Sequence, residues 1–253
     1  MIKYIALSAN LKIDYFYTKT SKQFKTRSIG YIELIDYLKP DFIGFQEYQS
    51  QAEESLSLLD SYYQHFSYEC GNKLTKQRNA IYFLKENYKL IDNGVYWLSN
   101  TLNVEYSRFF ICEPRNIVWA NLLDKRNNSR IFLASTHLDF SNPITRIFQL
   151  NAINEILKKH SEDTCVLLGD FNATHISPEI QSFLKKNTLK DAMASFKNPT
   201  IEFPSLFPKH SGPIDHIFLS NNVEILSSKI YPNKKQDIVF SDHHPISCLF
   251  TLD

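Results

Sequence analysis

The chain has 253 residues, 43% of them hydrophobic, and its 28 basic and 27 acidic side chains leave a formal net charge of +1. This composition predicts a single globular domain over residues 1–253, with no bulk electrostatic attraction for nucleic acid. Residues 1–10 are too short and too polar for a secretory signal, and no apolar run of 18 residues is present. We therefore expect a cytoplasmic monomer without a membrane anchor, whose four scattered cysteines are reduced.

The first third of the chain has a β-α-β pattern. Residues 2–10 predict a strand, and residues 28–39 predict an amphipathic helix with Ile32, Ile35 and Leu38 on one face. Residues 41–47 predict a second, buried strand, and residues 54–63 predict another helix. A helix between two strands is typical of a parallel pair.

The middle of the chain predicts four strands, at residues 79–85, 88–99, 116–124 and 129–140. Asn93-Gly94 and Asn127-Asn128 are turn signals, which indicate hairpins and an antiparallel arrangement.

The last third of the chain returns to alternating elements. Residues 144–160 predict a helix with one apolar face, which consists of Ile147, Leu150, Ile153 and Leu157. The remaining elements are predicted as a strand at 164–169, a helix at 177–186 and strands at 213–220, 223–231 and 244–252. Two mixed sheets packed face to face, with helices outside, accommodate this order.

Polar side chains accompany the ends of the apolar strands. They are Asn10, Glu47, His137, Asp170, Asn172, Asp215, Asp242 and His243. Each alone has a structural explanation, such as a capped turn, a hydrogen-bonded histidine or an ion pair. Burying them together without partners is costly, and a shared divalent cation is the economical explanation. The oxygen-rich set favours Mg²⁺, with Mn²⁺ as a substitute. A divalent cation with carboxylates and histidines beside it suits hydrolysis of phosphate esters.

Nine short motifs resemble the endonuclease/exonuclease/phosphatase superfamily, in order and in approximate spacing. Six carry the polar residues: NLK (10–12), IGFQE (43–47), STHLDF (135–140), LLGDFNA (167–173), PIDHIFLS (213–220) and SDHHPI (241–246). NAIYF (79–83), GVYWLS (94–99) and PRNIVWANL (114–122) resemble its bacterial Mg-dependent phosphohydrolase branch, related to deadenylase and nocturnin-type members. The resemblance implies an α/β fold, a four-layered sandwich of two mixed β-sheets flanked by helices.

The resemblance also implies roles for individual residues. Glu47 is expected to be the main Mg²⁺ ligand, with Asn10 and Asp242 at or near the metal. Asp170 is expected to orient or deprotonate the attacking water, with Asn172 holding the phosphate beside it. His137 and His243, the latter paired with Asp215, are expected to bind the phosphoryl oxygens. Asn79 is expected to be a partner of the His137 imidazole. Arg115 and Arg78 are expected to contact the phosphate. Whether Asp170 or His243 is the general base stays open. It also stays open whether Arg115 and Arg78 contact the substrate or are only solvated at the surface.

The substrate is left open among several classes. A nucleic acid or nucleotide is the leading expectation, because aromatic residues in loops could stack bases: Phe109, Phe110, Phe196, Phe203 and Phe207. Scattered basic residues accompany them, at Lys73, Lys76, Arg78, Lys209, Lys234 and Lys235. The same aromatics could equally be core or edge packing. The alternatives are a small phosphorylated metabolite or lipid headgroup, with FPSLFP (203–208) as a membrane-contact candidate, and a catalytically inactive binding module on the same scaffold.

Overall fold

The computed structural model describes residues 1–71, 75–110, 112–202 and 212–252. Its strands are, in chain order, β1 (Lys3–Asn10), β2 (Phe42–Tyr48), β3 (Tyr63–Glu69), β4 (Arg78–Leu84), β5 (Tyr88–Trp97), β6 (Asn116–Asp124), β7 (Arg130–His137), β8 (Thr164–Asp170), β9 (Leu189–Asp191), β10 (Asp215–Ser220), β11 (Val223–Ile230), β12 (Lys234–Lys235), β13 (Ile238–Val239) and β14 (Ile246–Leu252). The α-helices are α1 (Phe24–Leu38), α2 (Ser50–Ser55), α3 (Pro143–Lys159) and α4 (Pro178–Asn187), and 3₁₀ turns cover Thr20–Lys22 and Ser57–Ser61. The predicted contacts at Phe203, Phe207, Lys73, Lys209 and residues 203–208 lie outside the described residues.

Two six-stranded mixed sheets form the centre of the molecule. Their strand orders are β11-β14-β1-β2-β4-β3 and β5-β6-β7-β8-β10-β9. Each sheet has a parallel pair in its middle, β1 with β2 and β7 with β8, flanked by antiparallel neighbours. Helix α1 connects the first pair and α3 connects the second, so both pairs are β-α-β units.

The core has three apolar layers, which confirms the four-layered sandwich. Between the sheets, Phe42 belongs to one cluster with Val118 and Leu168. Tyr31 of α1 packs on the outer face of the first sheet, and Ile153 of α3 packs on the outer face of the second. The layer order is therefore helix, sheet, sheet, helix. No helix within the described ranges is long and apolar enough to cross a membrane.

Several local predictions were wrong. Asn93-Gly94 lies inside the continuous strand β5, where it pairs with β6 instead of forming a turn. The polar residues at 63–69 form the unpredicted strand β3, and the preceding helical segments are short and lie further toward the N-terminus. Strands β4 and β5 are in different sheets, since their local patterns carry no information about which sheet they join.

The remaining local predictions were largely confirmed. Asn127-Asn128 lies in the turn between β6 and β7, where Asn128 has φ 63°. On α3, Leu150, Ile153 and Leu157 are buried, but Ile147 is 45% exposed because Arg146 and Gln149 occupy the buried face of that turn. All four cysteines are free thiols.

Gly169 allows β7 and β8 to approach at the last step before Asp170. It pairs with Thr136 across the parallel ladder, and a Cβ atom there would overlap the Thr136 carbonyl oxygen. Any side chain would therefore push the strands apart directly beside a predicted catalytic carboxylate.

Candidate active site

Polar strand ends collect at one end of the sandwich. The parallel strands β1 and β2 end side by side, and β7 and β8 end with His137 opposite Asp170. Strand β10 runs the other way and begins at Asp215, which is also paired with Asp170. Strand β14 enters beside the end of β1, so the preceding His243 arrives at the same place. Topology thus brings together residues that are far apart in the sequence.

Glu47 is directed by a β-bulge near the end of β2. The register between β2 and β4 shifts between Phe45 and Tyr48, and Glu47 has φ 54°. This left-handed backbone is unfavourable for a non-glycine residue and persists where surrounding contacts enforce it. Here Glu47 Oε1 accepts a hydrogen bond from Asn10 Nδ2 at 3.0 Å, and Oε2 accepts one from the Ile13 amide at 2.8 Å.

Asp170 is a buried carboxylate held on both oxygens. Its Oδ2 accepts from Asn10 Nδ2 at 3.1 Å, and its Oδ1 accepts from the Asn172 amide at 3.0 Å. Asn172 reaches this position in the left-handed region (φ 50°), which asparagine tolerates, and its Nδ2 donates to the Leu138 carbonyl at 3.0 Å. Burial, reinforced by the neighbouring Asp215, raises the pKa of Asp170.

Asp215 and His243 form a buried carboxylate–imidazole dyad. His243 Nδ1 lies 2.9 Å from Asp215 Oδ2, which also accepts a hydrogen bond from Thr200 Oγ1 at 2.5 Å. The other ring nitrogen, Nε2, is 3.7 Å from Asp170 Oδ2. Burial alone would lower the pKa of His243, but Asp215 and then Asp170 outweigh it and raise the pKa to about 10. His243 is therefore a cation that presents an Nε2 proton to the site.

His137 and Arg115 are two further nitrogen-bearing side chains of the site. His137 Nε2 is 3.4 Å from Asp170 Oδ2. Burial, then the charges of Arg115 and His243, lower its pKa well below the ordinary value, so the ring is neutral. Arg115 is only 2% exposed, and among the described residues its Nε and Nη1 have no hydrogen-bond partner. Its Nη2 is 3.4 Å from Glu113 Oε2.

The hydrogen bond expected between Asn79 and the His137 imidazole is not formed. Asn79 Nδ2 donates instead to the backbone and side-chain oxygens of Asn116, at 3.0 and 2.9 Å, because Asn116 presents two acceptors to it. Asn79 Oδ1 and His137 Nδ1 both lack a partner among the described residues. Asn79 is thus near the site but does not set the His137 tautomer.

Arg78 and Asp242 lie at the same end of the sandwich but are engaged by neighbours. Arg78 Nη1 pairs with Glu53 at 2.9 Å, and its Nη2 is 3.6 Å from Glu69. Asp242 Oδ2 accepts from Lys12 Nζ at 3.0 Å on the half-exposed rim. Arg78 therefore has far less free hydrogen-bonding capacity than Arg115.

The donor set fits a divalent cation. The carboxylates of Glu47 and Asp170 share one neutral amide donor, Asn10, so two negative groups lie close together, and the positive charge of His243 lies on the Asp170 side. Oxygen-rich sets of this kind suit hard cations. In the described part of the chain, Asp170, Asp215 and His243 also offer ligand atoms within 4.8 Å of one another. In that group Asp215 Oδ2 and His243 Nδ1 are paired with each other, and Asp215 Oδ1 has no hydrogen-bond partner among the described residues.

Two residues of this site were not predicted from the sequence. Thr200, in the loop after β9, holds Asp215, and Lys12 pairs with Asp242. Neither has a signal in the sequence, since a single threonine or lysine in a loop is common. The loop aromatics that were predicted to stack bases differ in exposure. Phe109 is buried, Phe196 is partly buried against the core, and Phe110 is exposed.

Comparisons with known proteins agree with this geometry. The sequence matches the Endonuclease/Exonuclease/phosphatase family over residues 16–243. No curated protein sequence matches it significantly. Among solved structures, a Bacteroides thetaiotaomicron mannosyl-6-phosphatase is similar at 19% identity, covering 98% of this chain and 100% of that chain, with a TM-score of 0.83.

Two animal structures are similar at a lower TM-score of 0.75. The human Nocturnin catalytic domain with bound sulfate is 17% identical, covering 99% of this chain and 95% of its own. D. rerio TDP2, complexed with a single-strand DNA product, is also 17% identical, covering 98% and 99%. At these identities the likeness concerns the fold, whereas the family match spans most of the chain. The chain therefore belongs to the Endonuclease/Exonuclease/phosphatase family of phosphoesterases.

Proposed function

We propose that this protein is a Mg²⁺-dependent phosphoesterase that hydrolyses a phosphate ester of a nucleic acid or nucleotide by attack of water. The observation that carries the proposal is that Nε2 of cationic His243 and Nε2 of neutral His137 both lie within 3.7 Å of Asp170 Oδ2, while Arg115, directly before β6 and next to the end of β7, has guanidinium donors without partners among the described residues. Donors that converge without internal partners suit an anion with several oxygens. A phosphoryl group has that chemistry.

The chain's own groups divide the work of hydrolysis. Asp170, with its raised pKa, takes the proton of the attacking water at a carboxylate oxygen. His243 donates its Nε2–H to a phosphoryl oxygen, and Asp215 keeps the ring protonated and oriented. Arg115 and His137 hold further phosphoryl oxygens, and these contacts strengthen as negative charge develops in the transition state.

The proposed metal ligands are Glu47, Asn10 and Asp242. A Mg²⁺ ion held there would neutralise charge on the phosphate and on the leaving oxygen, and Mn²⁺ would accept the same ligands. Asp242 would have to leave Lys12 to take part. The proposed state is a cytoplasmic monomer that acts on a dissolved substrate.

A phosphorylated small metabolite is the second candidate substrate. It is supported by the likeness to the mannosyl-6-phosphatase, whose TM-score of 0.83 exceeds the 0.75 of the TDP2 and Nocturnin structures. The balanced charge of the chain also favours a small substrate over a long polyanion. The exposed aromatics near the site favour the nucleotide class.

The test is hydrolysis of a substrate panel with Mg²⁺ and with EDTA. The panel holds single-stranded RNA and DNA, duplex DNA, a dinucleotide and a sugar 6-phosphate. Two variants, Glu47→Gln and His243→Asn, are each expected to lower turnover at least about a hundredfold. His244→Asn is the matched control, because His244 is the adjacent histidine and, among the described residues, its ring is bonded to the Tyr231 carbonyl and lies 3.6 Å from the exposed Glu202 carboxylate.

Cleavage of the nucleic-acid substrates in Mg²⁺ alone would support the first candidate. Cleavage restricted to the sugar phosphate would replace it by the second. Activity that survives EDTA, or that survives in His243→Asn at the level of His244→Asn, would contradict the proposed mechanism.

A further inference from the structure

Three consecutive aromatic side chains stand exposed on the loop that follows β1. Tyr15 is half-exposed, Tyr17 is 68% exposed and Phe16 is fully exposed. The Tyr15 and Tyr17 rings are stacked, with centroids 5.2 Å apart and planes 5° apart, and Phe16 meets Tyr17 edge-on at 5.1 Å. Exposed large apolar groups that are contiguous mark interaction sites, whereas scattered ones do not.

The backbone of this loop is fixed rather than loose. Tyr15 and Thr18 exchange two hydrogen bonds, from the Thr18 amide to the Tyr15 carbonyl and from the Tyr15 amide to Thr18 Oγ1, both at 2.8 Å. Asp14, the residue before the turn, pairs with buried Arg27 at 2.9 Å and accepts from the Phe24 amide at 2.6 Å. The rings are therefore presented in a defined arrangement, and ordering them costs little entropy on binding.

The same loop is attached to the active site. The Ile13 amide donates to Glu47 Oε2 at 2.8 Å, and Lys12 pairs with Asp242. The Asp14 amide also donates to Gln49 Oε1 at 2.7 Å, so the residues just before the rings are bonded to the segment that carries Glu47. A substrate phosphate in the site would have its neighbouring group beside these rings.

The polar side chains of the turn are used internally. Asp14 and Thr18 make the hydrogen bonds described above, which leaves aromatic rings as the surface of the turn that faces solvent. A cavity of about 230 Å³ opens along Tyr15 and Phe16, with Gln51 and Glu54 on its other side. Its aromatic and polar lining suits one planar ring system with polar edges.

We infer that Tyr15, Phe16 and Tyr17 form a stacking subsite for a nucleobase attached to the scissile phosphate. The inference rests on the proposed function and narrows its substrate to single-stranded or mononucleotide esters, because a paired base keeps its faces stacked within the duplex. Aromatic stacking is tolerant of base identity, so the subsite selects for the presence of a base and not for a sequence.

The test measures binding separately from hydrolysis. A dye-labelled single-stranded tetranucleotide is titrated in EDTA, followed by fluorescence anisotropy, alongside an abasic analogue with the same phosphates. The test variant is Phe16→Ala combined with Tyr17→Ala, and the control is Tyr37→Ala, since Tyr37 on α1 is 75% exposed and takes no part in the ring contacts of this loop among the described residues. Both variants should keep the wild-type Tm, because the altered rings are solvent-exposed.

The expected result is a Kd for the tetranucleotide raised about 5- to 150-fold in the double variant and unchanged in Tyr37→Ala. The abasic analogue should bind wild type and variant alike. An unchanged Kd in the double variant, an equal loss for the abasic analogue, or no binding by wild type would overturn the inference. Weaker binding of a sugar 6-phosphate by the double variant, without an effect on the tetranucleotide, would overturn it in favour of a sugar-stacking site.

The two proposals fail in distinguishable ways. If no ester is hydrolysed but the tetranucleotide binds through the rings, the subsite stands and the proposed chemistry falls. If hydrolysis occurs and is insensitive to the double variant at every substrate concentration, the chemistry stands and the subsite falls.

Discussion

Arg115 is buried with most of its hydrogen-bonding capacity unused, and replacing it by Met is expected to raise stability while lowering activity. A buried charge that is poorly paired is costly, and replacing buried ion pairs by apolar residues of similar volume is often neutral or stabilises proteins by about 1–4 kcal/mol. Arg115 Nε and Nη1 lack partners among the described residues, and the Nη2 contact to Glu113 is long at 3.4 Å. Methionine keeps much of the stem volume and removes the charge.

The magnitude of the stability change can be measured by thermal unfolding. For a domain of this size, about 1 kcal/mol corresponds to a Tm shift of about 2–4 °C, so Arg115→Met should unfold several degrees above the wild type. Partly exposed Glu113 loses one weak contact, which costs little. The control is Arg108→Met, because Arg108 is exposed and its replacement should leave Tm and activity unchanged.

Turnover should fall in the same variant. Removing one donor to developing negative charge costs about 10²- to 10³-fold in kcat, and the loss should appear with Mg²⁺ present and with any substrate that the wild type cleaves. A variant that unfolds below the wild type would mean that Arg115 is satisfied and structural. Retention of activity would mean that it does not meet the phosphoryl group.

Three other perturbations test the strands and the histidine pairs. Gly169→Ala should lower the free energy of unfolding by about 1–3 kcal/mol in urea denaturation, because its Cβ overlaps a carbonyl oxygen of β7. Asp191→Asn removes the buried partner of His216: burial opposes both charges, but the pair lowers the pKa of Asp191 and raises that of His216. Ionised Asp191 contributes stability above about pH 4, and this stability is lost as the pH falls through the lowered folded pKa of Asp191. Protonated His216 contributes stability below about pH 6.5, and this stability is lost as the pH rises through the raised folded pKa of His216. In EDTA, the stability lost in Asp191→Asn should therefore be greatest between about pH 4 and 6.5. Asp215→Asn removes a main support of the raised pKa of His243, so the alkaline decline of kcat should move to lower pH.

Each of these expectations has a contrary outcome. Wild-type stability in Gly169→Ala would show that the two strands can separate without cost. If the difference in unfolding free energy between the wild type and Asp191→Asn does not change from pH 3 to 9, the Asp191–His216 pair is uncharged. An alkaline limb that stays in place in Asp215→Asn would assign it to a group other than His243.

Much of the site could be predicted from the sequence because its residues end apolar strands. Asn10, Glu47, His137 and Asp170 each follow a run of apolar residues, and such runs are local and visible in the sequence. The family motifs then supplied their order and expected roles. The helices α3 and α4 were predictable for the same reason, since their apolar residues recur at helical spacing.

Other features depend on which strands become neighbours. Residues 79–85 and 88–99 look like a hairpin, yet β4 and β5 belong to opposite sheets, because sheet membership depends on distant partners. The bulge that turns Glu47 toward Asn10 exists only in the pairing of β2 with β4. Asn79 illustrates the same limit, since its partner Asn116 comes from the other sheet.

The sequence by itself therefore indicated which polar side chains are candidates for the chemistry and that strand ends hold them. The tertiary structure alone decided their chemical state. Asp215, held by Thr200, and Asp170 approach His243 from separate segments, and their negative charges outweigh burial and raise the pKa of the imidazole to about 10. Burial also leaves Arg115 Nε and Nη1 without hydrogen-bond partners among the described residues. Charge state and unsatisfied hydrogen bonds depend on desolvation and on neighbours distant in sequence, which no local pattern encodes.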